Sequence, residues 1–298
     1  MNNHPFALAY AGLFLAAIVW GIAFVPQRIA MEHTGPFTFN AIRFGGGAVL
    51  VGLFLGTTRL RAIGRKEIIA SLIVGGLLYL GAAFQQIGMV STTAGKGGFI
   101  TSLYIVLVPV LLCLVWKENI ALSGWIGALI AVFGMGILSL SGDFSLSIGD
   151  VWVLICSLVF SFHVIAISKS GTNIDPLTLS VGQYIVCAVL SFISAAFLET
   201  NTWSTTHRAA IPFLYMIFFS IGIGYTLQVV SQKYVVPSAA AIILSLESVF
   251  ALLAGWTLLN ETLTERQVAG CVLMFIGMAV AQIQDIRALY KSKKQVTA

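Results

Sequence analysis

The chain has 298 residues, of which 58% are hydrophobic and only 9% are charged, and its mean hydropathy is +0.97. A water-soluble domain carries about a quarter charged residues, so composition excludes one and places the chain in a bilayer. The net charge of +5 does not point to nucleic acid, because the basic residues stand beside apolar runs and report topology. Cys113, Cys156, Cys187 and Cys271 all fall inside apolar runs, where each acts as a small hydrophobe and no disulfide framework is expected.

A helix needs about 20 mostly apolar residues to cross the hydrocarbon. Division at the polar breaks predicts ten spans, at 7–28, 37–57, 68–90, 94–116, 123–141, 149–169, 177–198, 211–231, 237–259 and 266–286. The breaks carry turn and cap residues: Thr34-Gly35-Pro36, Arg59 to Lys66, Lys117-Glu118, Ser141-Gly142-Asp143, Gly171 to Pro176, Glu199 to Ala210 and Asn260 to Gln267. The runs are about twice the length of a barrel strand and do not alternate, which excludes a β-barrel. Met1 to Pro5 carries no Lys or Arg and no small-residue cleavage pattern follows, so the first run is expected to remain as a span.

Loops rich in Lys and Arg stay cytoplasmic. One set of alternate connections holds Arg59, Arg61, Arg65, Lys66, Lys117, Lys169, Lys233, Arg287, Lys291, Lys293 and Lys294, and the other only Arg28, Arg208 and Arg266. This asymmetry predicts an all-α integral membrane protein with both termini cytoplasmic, and it suits a bacterial inner membrane.

The organising feature is a duplication. The segment from Gly35 to Phe44 lines up with Asp175 to Tyr184 at an offset of 140. An offset of 143 superposes Gly81 on Gly224, Gln85 on Gln228, Ser102 on Ser245, Leu103 on Leu246, Glu118 on Glu261, Gly127 on Gly270 and Gly134 on Gly277. The expected domains are a five-helix repeat over 1–142, a second over 143–286 and a basic tail over 287–298. Five is odd, so the second repeat is inverted relative to the first, as in alternating-access transporters with a midplane site between the halves.

Val19-Trp20-Gly21-Ile22-Ala23-Phe24, Phe39-Asn40-Ala41-Ile42-Arg43-Phe44 and Ser245-Leu246-Glu247-Ser248-Val249-Phe250-Ala251 running to Asn260-Glu261-Thr262-Leu263-Thr264 resemble the drug/metabolite transporter superfamily, EamA-like branch. The resemblance covers both halves. It implies a ten-helix exporter-like fold with the third, fourth, eighth and ninth helices around a central cavity and the fifth and tenth outside. Ser248 stands where the family motif often has proline, so the resemblance implies no proline kink there. The stretch Thr93 to Tyr104 resembles a lysine-bearing subgroup.

An ionisable side chain within the bilayer is a functional-site hypothesis by default, and three are expected well inside spans: Arg43, Lys96 and Glu247. Arg43 follows Asn40 by three residues as Gln183 follows Ser180, so one polar face recurs in both halves. Its guanidinium either meets a carboxylate or phosphate or ties neighbouring helices through carbonyls. Lys96 stands among Gly95, Gly97 and Gly98, which weaken a regular helix. It either holds an anion at the mouth of a broken helix or snorkels to interfacial water. Glu247 lies near the midplane, where its protonation depends on how dry its surroundings are and on whether Arg43 or Lys96 stands near. It either carries a coupling proton or forms a fixed ion pair.

His163 falls where the repeat places Ala23, on a stripe with Trp20 and Gln27, and reads first as a hydrogen-bonded packing residue. Gln85 and Gln228, with Gln86, Tyr104, Tyr225 and Gln232, offer neutral donors and acceptors for a polar path, some of which bridge helices. Helical geometry forbids all of them sharing one cavity, since Lys96 lies about 140° round from Thr101 and about 80° from Tyr104. The candidate cavity set is therefore Trp20, Arg43, Gln85, Gln86, Lys96, Tyr104, His163, Gln183, Tyr225 and Gln228, with Glu247 for the proton. Gly52 with Gly56, and the repeat-matched Gly127, Gly134, Gly270 and Gly277, read as close helix contacts. Thr264 to Gln267 reads as a capping box.

There is no Cys/His metal spacing, no G-x-S-x-G elbow and no Walker A loop, so neither catalysis nor a cofactor or metal is expected. The expected activity is secondary transport, in the outward direction that the resemblance implies, of small metabolites such as amino acids or related carboxylate-bearing compounds. Alternatives are a channel-like facilitator, a drug-type cation exporter and a polytopic membrane enzyme. The expected partners are a small-molecule substrate, a coupling proton and the lipid bilayer, with no nucleic acid; the sequence leaves the oligomeric state open.

Overall fold

A computed structural model describes residues 4–55, 63–139, 147–170, 173–200, 206–258 and 264–281, with the side chains of His4, Pro5, Met135, Leu138, Ser139 and Gln267 excepted. Among the described residues a helix falls within each predicted range. They are α1 (His4–Ala30), α2 (Pro36–Gly52), α3 (Arg65–Met89), α4 (Ala94–Leu114), α5 (Leu122–Ser139), α6 (Ile148–Lys169), α7 (Pro176–Leu198), α8 (His207–Ser231), α9 (Pro237–Leu258) and α10 (Glu265–Ala281). Seven of them, α1, α3, α4, α6, α7, α8 and α9, are long and apolar enough to cross a membrane by length and composition. Helix α2 has 17 residues, and the apolar stretches described in α5 and α10 are shorter than a full span. Gly56, Asn260 to Leu263, the junction at residues 140–146 and the basic tail lie outside the described residues, as does the Gln267 side chain of the expected capping box.

The helix starts follow from local chemistry. Ser147 and Asp150 cap α6 reciprocally, with Asp150 N donating to Ser147 Oγ (3.2 Å) and Ser147 N to Asp150 Oδ2 (2.9 Å). Asp175 caps α7 by accepting from Thr178 N at 3.0 Å, and Pro176 and Pro36 sit at first helical positions. At the matched start of α2 the cap position is Gly35, which has no side chain to offer. Glu199, at the end of α7, supplies the missing carboxylate to Phe37 N (2.6 Å), Thr38 N (3.0 Å) and Thr38 Oγ1 (2.5 Å).

Helices α4 and α9 are each broken at the same repeat position. The halves of α4 are Ala94–Thr101 and Tyr104–Leu114, and those of α9 are Pro237–Leu244 and Glu247–Leu258. No proline stands at either break. Serine hydroxyls instead bond backbone carbonyls, Ser102 Oγ to Gly98 O (2.9 Å), Ser245 Oγ to Ile242 O (2.8 Å) and Ser248 Oγ to Ser245 O (2.8 Å), a pattern that bends helices. The missing proline at Ser248 therefore does not prevent a break.

Helix α5 packs along α10, α2 along α7, α3 along α6 and α7, and α1 along α8 and α9. The α5–α10 contact is set by the matched glycines. A side-chain carbon on Gly127 would lie 2.6 Å from Gly277 O, and one on Gly134 would lie 2.7 Å from Gly270 O. Gly52 has no such role, because an added carbon there meets nothing closer than Val181 at 3.9 Å.

Two apolar clusters lie toward opposite ends of the bundle. At the end carrying residues 31–35 and Glu199, the Glu199 end, Ala23, Ala30, Phe39, Ala209, Phe213 and Met216 pack together. Toward the other, the Lys169 end, Ala70, Val74, Ile167, Ile174, Leu179 and Val229 do so.

Candidate functional site

Between these clusters lies a cavity of about 40 Å³. A water needs roughly 10–15 Å³ by this measure, so there is room for a few waters and none for a metabolite. The cavity is lined from α1 by Trp20, Ala23, Phe24 and Gln27, from α2 by Arg43, from α3 by Gln85, and from α4 by Thr101 and Tyr104. From the second half come Phe160, His163 and Val164 of α6, Ser220, Tyr225 and Gln228 of α8, and Leu244 and Glu247 of α9. The lining thus includes α1, α2 and α6 as well as the four helices that the family resemblance implied. Among the described residues, none of α5 or α10 lines it.

Repeat-matched residues face one another here. The offset of 143 pairs Tyr104 with Glu247, and these mates bond directly, Tyr104 Oη donating to Glu247 Oε1 at 2.9 Å. The same offset pairs Gln85 with Gln228 and Thr101 with Leu244, all in the lining. The offset of 140 pairs Trp20 with Phe160, Ala23 with His163 and Phe24 with Val164, likewise all in the lining. Trp20 leans on Gly224 and Phe160 on Gly81, which are themselves repeat mates, and a side-chain carbon on either glycine would collide with the ring.

Arg43 is 2% exposed. Its Nη1 donates to Gln27 Oε1 at 3.2 Å, while Nε and Nη2 have no hydrogen-bonding partner. The guanidinium carbon stands 5.1 Å from the centre of the Phe39 ring and 4.9 Å from that of Phe44, a cation–π arrangement. Glu247, 4% exposed, accepts from Tyr104 and, at 3.5 Å, from Ser102 Oγ. Among the described residues no ion pair joins Arg43 to Glu247 or either of them to another charged group. A buried unpaired charge costs several kcal/mol, so the site holds two ionisable groups of opposite type that do not neutralise each other by contact.

The aromatic wall centres on Tyr225. Its ring centre lies 4.5 Å from that of Trp20, 5.7 Å from Phe44 and 6.2 Å from His163. Tyr225 ends a π-helical stretch, Met216–Tyr225, of the kind that often marks functional positions. Within it Ser220 O accepts from Trp20 Nε1 at 3.2 Å.

Of the sequence candidates, Trp20, Arg43, Gln85, Tyr104, His163, Tyr225, Gln228 and Glu247 share this cavity. Lys96, Gln86 and Gln183 are not in its lining. Lys96 Nζ lies 3.8 Å from Asp150 Oδ2, with its side chain 42% exposed; helical rotation carries it away from the face that bears Thr101 and Tyr104. Asp150, unanticipated as a buried charge, also accepts from Thr92 Oγ1 at 2.5 Å. Gln183 stands one layer back, where its Oε1 is 2.9 Å from His163 Nε2. Gln86 is buried on another face of α3, with neither amide atom partnered. Gln232 bonds Val164 O and Ser168 Oγ, both at 3.0 Å, as a helix bridge. Sequence reasoning left Ala23, Phe24, Gln27, Thr101, Phe160, Val164, Ser220 and Leu244 out of the cavity set; Phe160 was findable as the repeat mate of Trp20, Ala23 as that of His163, and Gln27 from the stripe it shares with Trp20. No group of three or more His, Cys, Asp or Glu able to hold a metal occurs among the described residues.

The profile of the EamA-like transporter family matches residues 7–140 and again 147–282. A protein named an uncharacterized transporter of Archaeoglobus fulgidus is 34% identical over 273 residues, covering 92% of this chain and 85% of its own length. The uncharacterized transporter YoaV of Bacillus subtilis is 23% identical, with 90% and 94% covered. A chloroplastic WAT1-related protein of Arabidopsis thaliana is 23% identical, with 89% and 67% covered. A solved crystal structure superposes with a TM-score of 0.77 at 17% identity over 97% of this chain and 99% of that chain, which shows a shared fold. The chain belongs to the EamA-like transporter family of the drug/metabolite transporter superfamily and is an integral membrane protein.

Proposed function

We propose that the protein is a secondary transporter of small metabolites, amino acids or related carboxylate-bearing compounds, and that it exports them by alternating access. In this reading ten spans form two inverted five-helix halves, both termini are cytoplasmic, and the Lys169 end faces the cytoplasm of a bacterial inner membrane. The basic residues concentrated in the connections of that end support this orientation. The meeting of repeat mates across the cavity supports the inverted arrangement. A cavity of about 40 Å³ between two apolar clusters favours a carrier that opens by turns over a continuous channel.

The observation that carries the reading is Arg43 and Glu247 buried in one cavity without an ion pair between them. A substrate carboxylate completes the fork of Arg43 at Nε and Nη2, the two donors now without partners. Glu247 then takes either the substrate ammonium or a coupling proton, which it exchanges as the cavity faces each side in turn. Arg43 replaces Lys96 as the anion anchor, because the ammonium of Lys96 is beside Asp150.

The test is thermal stability of the purified protein against amino acids, organic acids, nucleosides and cationic drugs, since a ligand that binds only the folded state raises the melting temperature. A carboxylate compound should stabilise the wild type and Lys96→Met alike and should lose its effect in Arg43→Gln. Counterflow in liposomes should lose its pH dependence in Glu247→Gln. The aromatic wall beside Glu247 favours one second reading, a drug-type cation exporter. Stabilisation by cations alone, unchanged in Arg43→Gln, would replace the first reading with that one.

A further inference from the structure

The seam between α3 and α6 carries a groove of about 710 Å³ at the Lys169 end. Its long wall is one face of α3, at Lys66, Ile69, Ala70, Ile73, Val74 and Leu77, spaced at helical period. That face runs about 16 Å along the axis at 1.5 Å per residue, close to half of the roughly 30 Å hydrocarbon core, or one leaflet. Ile69 and Ile73 are 45% and 55% exposed. Across the groove stand Phe162, Ala166 and Lys169 of α6, and Trp116 stands at its mouth. Lys66 lies in the first turn of α3 and Lys169 ends α6, so the two lysines flank the same end of a largely apolar slot in which Ser170 and Asn173 are the neutral polar residues.

The matched seam of the other half is packed differently. Offsets of 143 and 140 carry Lys66 to Ala209, Ala70 to Phe213, Ile73 to Met216 and Lys169 to Ile29. At that matched seam between α8 and α1, Ala209 and Met216 are fully buried and Phe213 is nearly so, and they pack with Ala23 and Ala30. One seam is filled by its own side chains, Phe213 among them; its mate has Ala70 at the place of that ring and is flanked by two lysines. The second large lateral groove, about 560 Å³ between α2 and α7, has Glu199 at its end and no basic residue in its lining.

We propose that the α3–α6 groove is a binding site for one anionic phospholipid. An acyl chain lies along Ile69, Ile73 and Leu77, the phosphate sits between Lys66 and Lys169, and Trp116 stands at headgroup depth, where indole rings are enriched. Glu118 is the carboxylate at this mouth, and it is ion-paired with Lys169. An ammonium has three donors, so Lys169 keeps Glu118 and still reaches a phosphate. Glu67, in the first turn of α3, is engaged with Gly64 N at 2.9 Å. Basic pockets between spans are a known means of selecting anionic headgroups. The site is independent of the transported substrate and of the central cavity.

The test is native mass spectrometry of the full-length protein given equal amounts of phosphatidylglycerol and phosphatidylcholine. The wild type should retain phosphatidylglycerol in clear preference. Each of Lys66→Gln and Lys169→Gln should reduce that preference about fivefold, the equivalent of roughly 1 kcal/mol per lysine. Ile73→Trp, which fills the slot and leaves both charges, should reduce retention of both lipids, whereas Ala41→Trp in the α2–α7 groove should change neither. Equal retention of the two lipids by the wild type, or an undiminished preference in Lys66→Gln combined with Lys169→Gln, overturns the proposal. So does full displacement by glycerol 1-phosphate at the concentration of the lipid, which would make the lysines a site for a free phosphate. Should the lysine variants fail to fold, the Ile73→Trp and Ala41→Trp pair decides.

Discussion

The apolar clusters on either side of the cavity occupy matched places in the two repeats and are built differently. At the Glu199 end the Phe39 and Phe213 rings pack with their centres 5.3 Å apart and their planes tilted by 35°. The same offsets place Leu179 and Ala70 at the Lys169 end, where smaller side chains leave the lateral groove beside them. Polar ties differ in the same sense. Glu199 holds the first turn of α2 through two backbone N–H groups and a hydroxyl, where the helix dipole adds to the attraction. The Lys169–Glu118 pair is about 40% exposed on both sides, a setting in which ion pairs contribute little. The duplicated fold is thus packed more firmly at one end than at the other, and under the proposed alternating access the Lys169 end is expected to open at smaller cost.

Substitutions can break or sharpen that contrast. Phe213→Ala should have the largest effect, lowering unfolding stability in detergent by about 3–5 kcal/mol, with Leu179→Ala costing less. Gly277→Val should cost about 1–3 kcal/mol by forcing α5 from α10, yet leave the balance between the two ends unchanged when each is probed by thiol labelling. Glu199→Gln should cost about 1–2 kcal/mol in thermal unfolding and ease opening at its own end. Ala70→Phe transplants the missing ring into the lighter cluster. It should be tolerated because the groove gives it space, and should slow labelling from the Lys169 side about fivefold, near 1 kcal/mol. Lys169→Met should change stability by no more than about 1 kcal/mol, and raised salt should reproduce its effect in the wild type.

Much of this architecture is legible in the sequence because its causes are local or periodic. Apolar runs and their polar breaks place the helices, and the fixed offsets expose the duplication that brings Tyr104 to Glu247. Family likeness rests on motifs spread through both halves. The site is legible where the repeat speaks for it: Gln85 and Gln228, as mates, both line the cavity, and Phe160 follows from Trp20. It is not legible where rotation about a helix decides. Gln86 adjoins Gln85 yet turns to another face, and Lys96 turns to Asp150, a partner 54 positions away in the chain. Nor does local sequence reveal that Glu199 caps a helix starting more than 160 residues earlier. The glycine at position 35 is the only local sign, since it leaves that helix without a cap of its own.

The most direct test of an alternating cavity needs no substrate. A single cysteine at Thr101, in a chain whose four native cysteines are replaced, is labelled with a membrane-impermeant thiol reagent from each side of sealed vesicles. The account predicts reaction from both sides, slowed from the Lys169 side by Ala70→Phe and hastened from the Glu199 side by Phe213→Ala. Reaction from one side only, with rates indifferent to both substitutions, would contradict it.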